Sequence, residues 1–348
     1  MDLFPLVRPA LGLFDPERAH RLTLLGLKMG FGPADRVSDP ASLGVDLLGL
    51  HFSNPLGIAA GFDKNGEVPD AMLAMGMGFA EVGTVTPRPQ SGNPRPRVFR
   101  LAAHRAVINR LGFNNEGHDS LRRRLEARAH RGGVVGVNIG ANKDAADRIA
   151  DYETGIKTFE DVASYFTVNI SSPNTPGLRA LQGRSELETL MTRVLKARQG
   201  KVPILLKIAP DLTTEDRADI AAVALDLKLD GLIVSNTTIE REGLVNGAHA
   251  GETGGLSGKP LFALSTQVLA DIYRLTGGKV PLVGVGGIAS GADAYAKIRC
   301  GASLIQLYSA LTYEGPALVT RIKRELAAAL ARDGFARVAD AVGVDVKL

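Results

Sequence analysis

A short apolar segment that ends in hydroxyl and amide side chains marks the middle of this chain, at Val168-Asn169-Ile170-Ser171-Ser172-Pro173-Asn174-Thr175. Residues 165–170 are apolar enough to predict a buried strand. Asn169 and Asn174 flank Ser172, and no histidine or acid lies close by in the sequence. Because carboxamides both donate and accept hydrogen bonds, this strand end predicts a polar, uncharged ligand held over a single weak base.

Similar apolar runs recur along the chain, with helix-length segments between them. The eight runs are 56–60, 79–85, 134–139, 165–170, 204–208, 231–235, 282–285 and 303–307. Their high content of Val, Ile and Leu is typical of strands that are buried on both faces of a parallel sheet. Eight such strands alternating with helices favour an α/β fold of the (β/α)8 TIM barrel type over a doubly wound sheet.

Each run ends in small or polar residues, at the rim where barrel enzymes carry their catalytic groups. These residues are Gly61, Phe62, Asp63, Lys64, Thr84, Asn138, Asn169, Lys207, Asn236, Thr237, Gly286, Gly287, Tyr308 and Ser309. One such residue is often only a turn former. The repetition at all eight ends predicts a site at the rim.

The composition narrows the possible functions. The 348 residues are 45% hydrophobic and 22% charged, as in an ordinary soluble globular protein. The single cysteine, Cys300, excludes an intramolecular disulfide and is expected to pack inertly at a helix end. The net charge of +4 is small and its basic residues are scattered, which disfavours nucleic-acid binding. The six histidines do not pair at ligand spacing, so we expect no metal site.

The first 40 residues differ from the rest. Asp15 and Pro16 predict a helix start, as an N-cap acid followed by proline. An apolar stripe follows and ends at Gly30; its members are Ala19, Leu22, Leu25 and Met29. No run reaches the roughly 18 apolar residues of a membrane span, and the pattern of a signal peptide is missing. The helices therefore either cap the barrel or form a small module at a bilayer surface.

Glycines and lysines at the strand ends indicate anionic groups on the ligand. Gly286-Gly287 follows the seventh strand and Tyr308-Ser309 the eighth, where barrels commonly bind a phosphate. The glycine cluster at 254–258 could close over the same group. Lys207 would emerge from a buried strand, so it needs an anionic partner such as a reduced flavin, a carboxylate or a Schiff-base carbonyl. Lys64 is a second cation at the rim, although both lysines could simply extend to solvent.

Five segments in order resemble the quinone-linked (class 2) dihydroorotate dehydrogenases. They are Ala59-Ala60-Gly61-Phe62-Asp63-Lys64-Asn65-Gly66, Val107-Ile108-Asn109-Arg110-Leu111-Gly112-Phe113-Asn114-Asn115, residues 168–175, Val234-Ser235-Asn236-Thr237-Thr238 and residues 283–288. The resemblance runs across nearly the whole chain, and the ordered set is specific although each motif is modest. It implies an FMN barrel that oxidises (S)-dihydroorotate to orotate in pyrimidine biosynthesis and passes the electrons to a membrane quinone.

The resemblance also implies individual roles. Ser172 would take the C5 proton while hydride leaves C6 for flavin N5. The substrate would be bound by Lys64, Asn109, Arg110, Leu111, Gly112, Phe113, Asn169, Asn174, Asn236 and Thr237. FMN would be held by Ala60, Gly61, Phe62, Asp63, Lys64, Thr84, Asn138, Asn169, Lys207, Ser235, Gly258, Gly287, Tyr308 and Ser309. Ser235 replaces a threonine of many relatives and keeps the hydroxyl.

The base and the N-terminal helices place the chain within the family. The soluble class 1 enzymes use a cysteine as base, whereas Cys300 lies far from the rim motifs. By resemblance, residues 1–40 would form an apolar quinone tunnel on the cytoplasmic face of the cell membrane, and residues 41–348 the FMN barrel. His20, Arg100 and Tyr308 are the polar candidates at the inner end of the tunnel, although His20 could be an ordinary surface histidine.

Serine is a weak base and needs help from its surroundings. We expect a hydrogen-bonded relay through Thr175 or water, together with desolvation by a closing loop. Gly177 and Gly183 bracket residues 178–182 and would be the hinges of that lid.

Two other functions remain open from the residues alone. One is a different flavin barrel, such as a dihydrouridine synthase or a 2-hydroxy-acid oxidase. The first should carry a catalytic cysteine and a basic domain, and the second a histidine at a strand end, none of which the sequence offers. The other is a catalytically silent barrel that senses phosphorylated metabolites. A flavin absorption band would separate the enzymes from the sensor.

Overall fold

The chain folds around a closed barrel, as predicted. The computed structural model describes residues 4–35, 37–245, 247 and 249–348. Its strands are β1 Val45–Leu47, β2 Leu50–Phe52, β3 Leu56–Asp63, β4 Phe79–Val85, β5 Val98–Leu101, β6 Ala106–Asn109, β7 Val134–Ile139, β8 Tyr165–Asn169, β9 Ile204–Ile208, β10 Gly231–Val234, β11 Gly255–Gly258, β12 Leu282–Val285 and β13 Ala302–Leu307. The barrel consists of β3, β4, β7, β8, β9, β10, β12 and β13 in that order, all parallel, with β13 pairing back to β3.

The eight barrel strands match the eight predicted runs. Their ends agree with the prediction to within a residue, except that β3 continues to Asp63. Seven of the strands are buried along nearly their whole length because helices cover the outside and side chains fill the inside. The α/β barrel prediction is therefore confirmed.

The helices follow the strands in alternation. They are α1 Phe4–Gly12, α2 Pro16–Lys28, α3 Pro69–Ala74, α4 His118–Arg128, α5 Arg148–Phe159, α6 Arg184–Ala197, α7 Thr214–Asp226, α8 Leu261–Leu275, α9 Gly291–Arg299, α10 Ser309–Glu314 and α11 Ala317–Arg332. Local capping fixes several starts. The Thr213 hydroxyl accepts from the Asp216 amide while the Asp216 carboxylate accepts from the Thr213 amide, which begins α7.

Two small sheets lie outside the barrel, one at each end. The β1–β2 hairpin lies at the amino end, where the ring of Phe52 packs on Phe79, the first residue of β4, at 5.4 Å. An antiparallel sheet of β5, β6 and β11 is formed by excursions after β4 and β10, and has its own core of Phe99, Leu101, Ile108 and Leu256. Since those excursions leave the carboxyl ends of the strands, this sheet lies beside the mouth.

Helix α2 attaches to the barrel through a face that carries both ion-paired and buried apolar side chains. Asp15 accepts from the Glu17 and Arg18 amides and caps α2, as predicted. Arg21 and Lys28 pair with Glu67 at 2.5 and 3.5 Å, and Glu17 pairs with Arg97 at 2.6 Å. Positions 17, 21 and 28 share one face of the helix with Leu24, which is buried in the main core, so this mixed charged and apolar face is the one turned toward the barrel.

The predicted apolar stripe of α2 is consequently not a buried stripe. Ala19 is buried, but the side chains of Leu22, Leu25 and Met29 are 43%, 50% and 63% exposed. Of the two alternatives left open by the sequence, this exposure favours a surface module over a stripe that packs on the barrel, because the ion pairs help to set the rotation of the helix and these apolar positions point outward.

Candidate active site

One large cavity connects the N-terminal helices with the mouth of the barrel. Its volume is about 2480 Å³, and its walls come from α1, α2, the carboxyl ends of the barrel strands and the small β5–β6–β11 sheet. Ligand pockets usually measure about 300–1,000 Å³. The cavity therefore has room for more than one ligand at once.

Most of the residues predicted for the site line this cavity. They are His20, Ala60, Gly61, Phe62, Lys64, Thr84, Arg100, Asn109, Leu111, Gly112, Phe113, Asn169, Ser172, Asn174, Lys207, Ser235, Asn236, Thr237, Gly258, Gly287, Tyr308 and Ser309. They come from α2, from β5, β6 and β11 of the small sheet, and from the barrel strands and the loops after them. The parallel barrel brings them together because all its strands present their carboxyl ends at one edge.

Three predicted residues lie outside the cavity lining. The Asp63 carboxylate accepts from the amides of Glu67 and Val68 and shapes the loop after β3. Asn138 is fully buried below the rim. The Arg110 guanidinium turns outward, where it donates to Glu252 at 2.6 Å and to the Pro96 carbonyl at 3.0 Å. These side chains support the walls of the cavity, and their predicted contacts with the substrate or FMN stay predictions.

A chain of amide and hydroxyl groups forms the floor of the site. Asn169 Nδ2 donates to Thr84 Oγ1 at 2.9 Å, and Thr84 Oγ1 donates to Asn138 Oδ1 at 2.6 Å. On the other side, Asn236 Nδ2 donates to Ser171 Oγ at 3.0 Å, and Ser171 Oγ donates to Asn169 Oδ1 at 3.0 Å. Each carboxamide is held in one orientation, which suits a floor that must match the fixed donors and acceptors of a ligand.

A buried acid below this floor was missed by the sequence analysis. Glu81 of β4 is fully buried and accepts from Asn138 Nδ2 at 2.8 Å, Tyr165 Oη at 3.0 Å and Gln306 Nε2 at 2.7 Å. Glu81 also acts on Lys207. Burial lowers the pKa of this lysine, and the nearby Glu81 carboxylate offsets only part of that lowering. A charged residue inside an otherwise apolar run was the signal that could have identified it.

Ser172 lies at the wall of the cavity and is only 6% exposed. Its Oγ accepts from the Asn174 amide at 3.2 Å, and Asn174 Nδ2 donates to Asn109 Oδ1 at 3.4 Å. In the described part of the chain no imidazole or carboxylate forms a hydrogen bond with Ser172, and none joins it to the Thr175 hydroxyl. A relay through Thr175 thus stays a prediction.

The predicted lid, residues 178–182, is anchored to the neighbouring loops by Arg179. Arg179 donates to the carbonyls of Ser171 and Thr237, both at 3.0 Å, and pairs with Asp211 at 2.7 Å. Gly177 has a φ of +70°, whereas Gly183 is extended. The segment packs over the loop that carries Ser172, and its opening stays a prediction.

Lys64 supplies a cation at the rim. Its Nζ donates to the Gly61 carbonyl at 2.8 Å, and burial lowers its pKa to about 8. No carboxylate of the described residues is in hydrogen-bonding contact with the ammonium, so a ligand anion would find a cation without a directly bonded acid.

A glycine cradle lies after β12. Gly286 and Gly287 have φ angles of +110° and +77°, and a Cβ on Gly287 would lie 2.7 Å from the Phe262 amide nitrogen. Only glycine fits this close approach. Across the cavity, Ser309 Oγ donates to Ser257 Oγ at 2.7 Å. Exposed backbone amides and hydroxyls of this kind suit a phosphate.

A cluster of rings separates the mouth from the N-terminal helices. His20 of α2 meets Phe62 at 5.3 Å and Tyr308 at 6.2 Å between ring centroids, and Phe62 meets Tyr308 at 5.5 Å. Burial lowers the pKa of His20 to about 4, so its imidazole is neutral at pH 7. Arg100 donates to the Phe14 carbonyl at 2.8 Å and holds the junction of α1 and α2.

The described residues offer neither a metal cluster nor a membrane-spanning helix. Within the described ranges no group of three acidic, histidine or cysteine residues could hold a metal ion. No helix among those same residues combines the length and the apolar content that a bilayer crossing requires.

Comparison with known proteins gives one consistent result. A family model described as dihydroorotate dehydrogenase matches residues 42–330. The chain is 74% identical to the dihydroorotate dehydrogenase (quinone) of Parvibaculum lavamentivorans over 348 residues, which is 100% of both chains. It is 57% identical to the protein of the same name from Rhodospirillum rubrum, over 99% of this chain and 95% of the relative.

Solved structures agree. A crystal structure of DHODH from Eimeria tenella in complex with ferulenol superposes with a TM-score of 0.93 at 43% identity, over 96% of each chain. The ligand-free form from the same organism gives 0.93 at 44% identity, over 96% of this chain and 100% of the other. The sequence, the fold and the cavity thus lead to the same place: the chain belongs to the dihydroorotate dehydrogenase family of oxidoreductases, as its motifs predicted.

Proposed function

We propose that this enzyme oxidises (S)-dihydroorotate to orotate, with FMN as the hydride acceptor and a membrane quinone as the final electron acceptor, in pyrimidine biosynthesis. The observation that carries the proposal is the single cavity that joins an amide-lined barrel mouth to apolar N-terminal helices. Relatives of the same length bear the name dihydroorotate dehydrogenase (quinone), which supports both ends of the reaction.

The residues present fit a flavin with a phosphate tail. The cradle at Gly286 and Gly287 and the hydroxyls of Ser257 and Ser309 suit the phosphate, and Lys207 offers a buried cation that suits a ring which becomes negative on reduction. Bound there, FMN would supply a two-electron acceptor that no side chain provides. The remaining candidates for its site are Ala60, Gly61, Thr84, Asn169, Ser235, Gly258 and Tyr308.

The asparagine side chains that line the mouth fit a pyrimidine. Asn109, Asn174 and Asn236 present donors and acceptors that can match the two ring amides, and the Lys64 ammonium can pair with the substrate carboxylate. A site built from fixed partners rejects analogues that leave those partners unpaired. Ser172 Oγ takes the proton from the substrate carbon, and its burial beneath the segment that contains Arg179 keeps water away.

The N-terminal helices suit a lipid surface and an apolar electron acceptor. Of the thirteen large apolar side chains that are strongly exposed in the described structure, eight lie between residues 7 and 37. They are Val7, Leu13, Phe14, Leu22, Leu25, Met29, Phe31 and Val37. Such a concentration is typical of a surface that binds a partner or a membrane. We assign residues 1–40 to a quinone and membrane module on the cytoplasmic face of the cell membrane, and residues 41–348 to the FMN barrel.

An anaerobic experiment tests the proposal in two steps. Purified enzyme mixed with dihydroorotate in a stopped-flow instrument should lose its flavin absorption, and a quinone analogue should then restore it. A chain that lacks residues 1–30 should keep the first step and lose the second. A colourless protein, or one whose absorption dihydroorotate does not change, would contradict the reaction; full reoxidation of the truncated chain would contradict the tunnel.

A further inference from the structure

A buried lysine behind the glycine cradle has no role in the chemistry described so far. Lys297 of α9 is fully buried, and its Nζ donates to Ser265 Oγ at 2.6 Å and to the Val285 carbonyl at 3.5 Å. Ser265 Oγ in turn lies 3.2 Å from two carbonyl oxygens, those of Gly286 and Phe262, and can donate its one hydrogen to either of them. The ammonium is therefore one hydroxyl away from the loop that would cradle a phosphate.

The fold makes space for this lysine. Side chains on a helix lean toward its amino end, and the amino end of α9 lies at the mouth of the barrel because α9 begins just after β12. The stem of Lys297 passes over Gly284 of β12, where an added Cβ would lie 3.4 Å from the Cβ of Lys297. The glycine lets the chain run up the outside of the strand to the cradle.

Among the residues that the structure describes, the ammonium has no anion in contact. It lies 5.2 Å above the ring of Phe262 in α8, and its two hydrogen-bond acceptors are neutral. The charged or titratable neighbours are Asp293 of the same helix, which accepts from the Ala289 amide, and the half-buried thiol of Cys300 just after the helix, whose pKa is raised by burial. Burial lowers the pKa of Lys297 to about 7. A buried cation without a paired acid costs stability unless an anion binds nearby.

We propose that Lys297 is a positioning residue that recognises the phosphate of the flavin from behind the Gly286-Gly287 loop and makes the site select FMN over the phosphate-free flavin. The selection acts through charge, since an ammonium close to a phosphate favours the phosphorylated ligand. It also acts through Ser265, which fixes the Gly286 carbonyl and so the direction of the neighbouring amides. The inference rests on the proposed flavin site.

The test compares two flavins that differ only in the phosphate. The full-length chain is freed of flavin and titrated with FMN and, separately, with riboflavin by quenching of flavin fluorescence, for the native protein and for Lys297→Met. We expect the variant to lose at least about tenfold in FMN affinity while its riboflavin affinity stays the same, because only FMN carries the charge. Ser265→Ala should lose less, again for FMN alone.

Three outcomes would overturn the inference or its basis. Equal losses for both flavins would assign Lys297 a structural role, and unchanged FMN affinity would remove it from recognition. If the native chain binds neither flavin, the proposed flavin site itself is wrong.

A second measurement needs no variant, in case Lys297→Met does not fold. A phosphate favours the protonated lysine, so FMN binding takes up a proton and FMN affinity should fall relative to riboflavin affinity between about pH 7 and about pH 9. Lys64 also titrates there, but it belongs to the rim and should affect both flavins alike. A constant ratio of the two affinities over this range would contradict the proposal.

Discussion

The mouth of the barrel buries polar side chains, whereas the N-terminal module exposes apolar ones. At the mouth, polar side chains are buried and hold one another through short hydrogen bonds, from Glu81 through Asn138 and Thr84 to Asn169. In the module, apolar side chains are exposed, and α2 is fastened to the barrel by charged pairs. At the mouth the polar groups are thus satisfied by other residues of the chain. The apolar groups of the module are left uncovered by the chain, so only an apolar partner or lipid could cover them.

The largest effect is expected from the proposed base. Ser172→Ala should slow flavin reduction by dihydroorotate by about 10²- to 10⁴-fold, the usual contribution of a positioned base. Orotate binding, measured by the shift of the flavin spectrum, should change little because the serine accepts only from the Asn174 amide. Rapid flavin reduction in the variant would show that the base is elsewhere.

Removing the buried Glu81 carboxylate tests the hydrogen-bond network beneath the mouth. Glu81→Leu leaves three buried donors without an acceptor and should lower the free energy of unfolding by about 3–5 kcal/mol, as removal of one partner of a buried charged network does. Glu126→Leu on α4 is the control, because its pair with Arg122 is exposed and should be worth at most about 1 kcal/mol. Denaturant unfolding measures both, and equal losses would refute the contrast.

The module should respond to changes in its exposed apolar side chains. The double variant Leu13→Ser, Phe31→Ser should bind lipid vesicles at least about tenfold more weakly, since each side chain contributes roughly 1.5–3 kcal/mol when it leaves water. Val344→Ser, which is exposed outside the module, is the matched control. Flavin reduction by dihydroorotate should be unaffected in both. Vesicle binding that survives the double variant would mean that another surface meets the lipid.

The smallest effect concerns the charged attachment of α2. Arg97 and Arg95 lower the pKa of Glu17 from 4.5 to about 2. A depressed pKa means that this contact contributes fully above about pH 4.5 and is lost as the pH falls toward about 2. Glu17→Gln should therefore speed amide exchange in α2 by a few-fold at neutral pH. The difference from the native chain should shrink in acid, and Glu188→Gln on α6 should leave α2 unchanged.

The sequence allowed the barrel and most of the mouth to be predicted, for a physical reason. Doubly buried strands need continuous apolar runs, and a parallel barrel gathers all strand ends at one edge, so strand positions also located Ser172, Lys207 and Asn236. Glu81 escaped because it lies within such a run, and its partners Tyr165 and Gln306 come from distant strands.

The rotation of α2 escaped for a related reason. An apolar stripe on a helix normally faces the core. Here Glu67 and Arg97, far along the chain, attract the charged face instead. Likewise, the outward direction of Arg110 depends on Glu252, which nothing local to β6 reveals. Pairings between remote residues were the part that sequence patterns could not supply.

The attachment of α2 also has a consequence for biosynthesis. The anchors of the module lie later in the chain, from Glu67 and Arg97 to Lys323 of α11, which pairs with Asp35 and Asp39. During synthesis, the ribosome releases the apolar helices α1 and α2 well before it releases the barrel residues that anchor them. Several leucines and phenylalanines of the module stay exposed even in the folded chain, so both before and after folding their apolar surface can be covered only by something other than the barrel, such as a chaperone or a lipid.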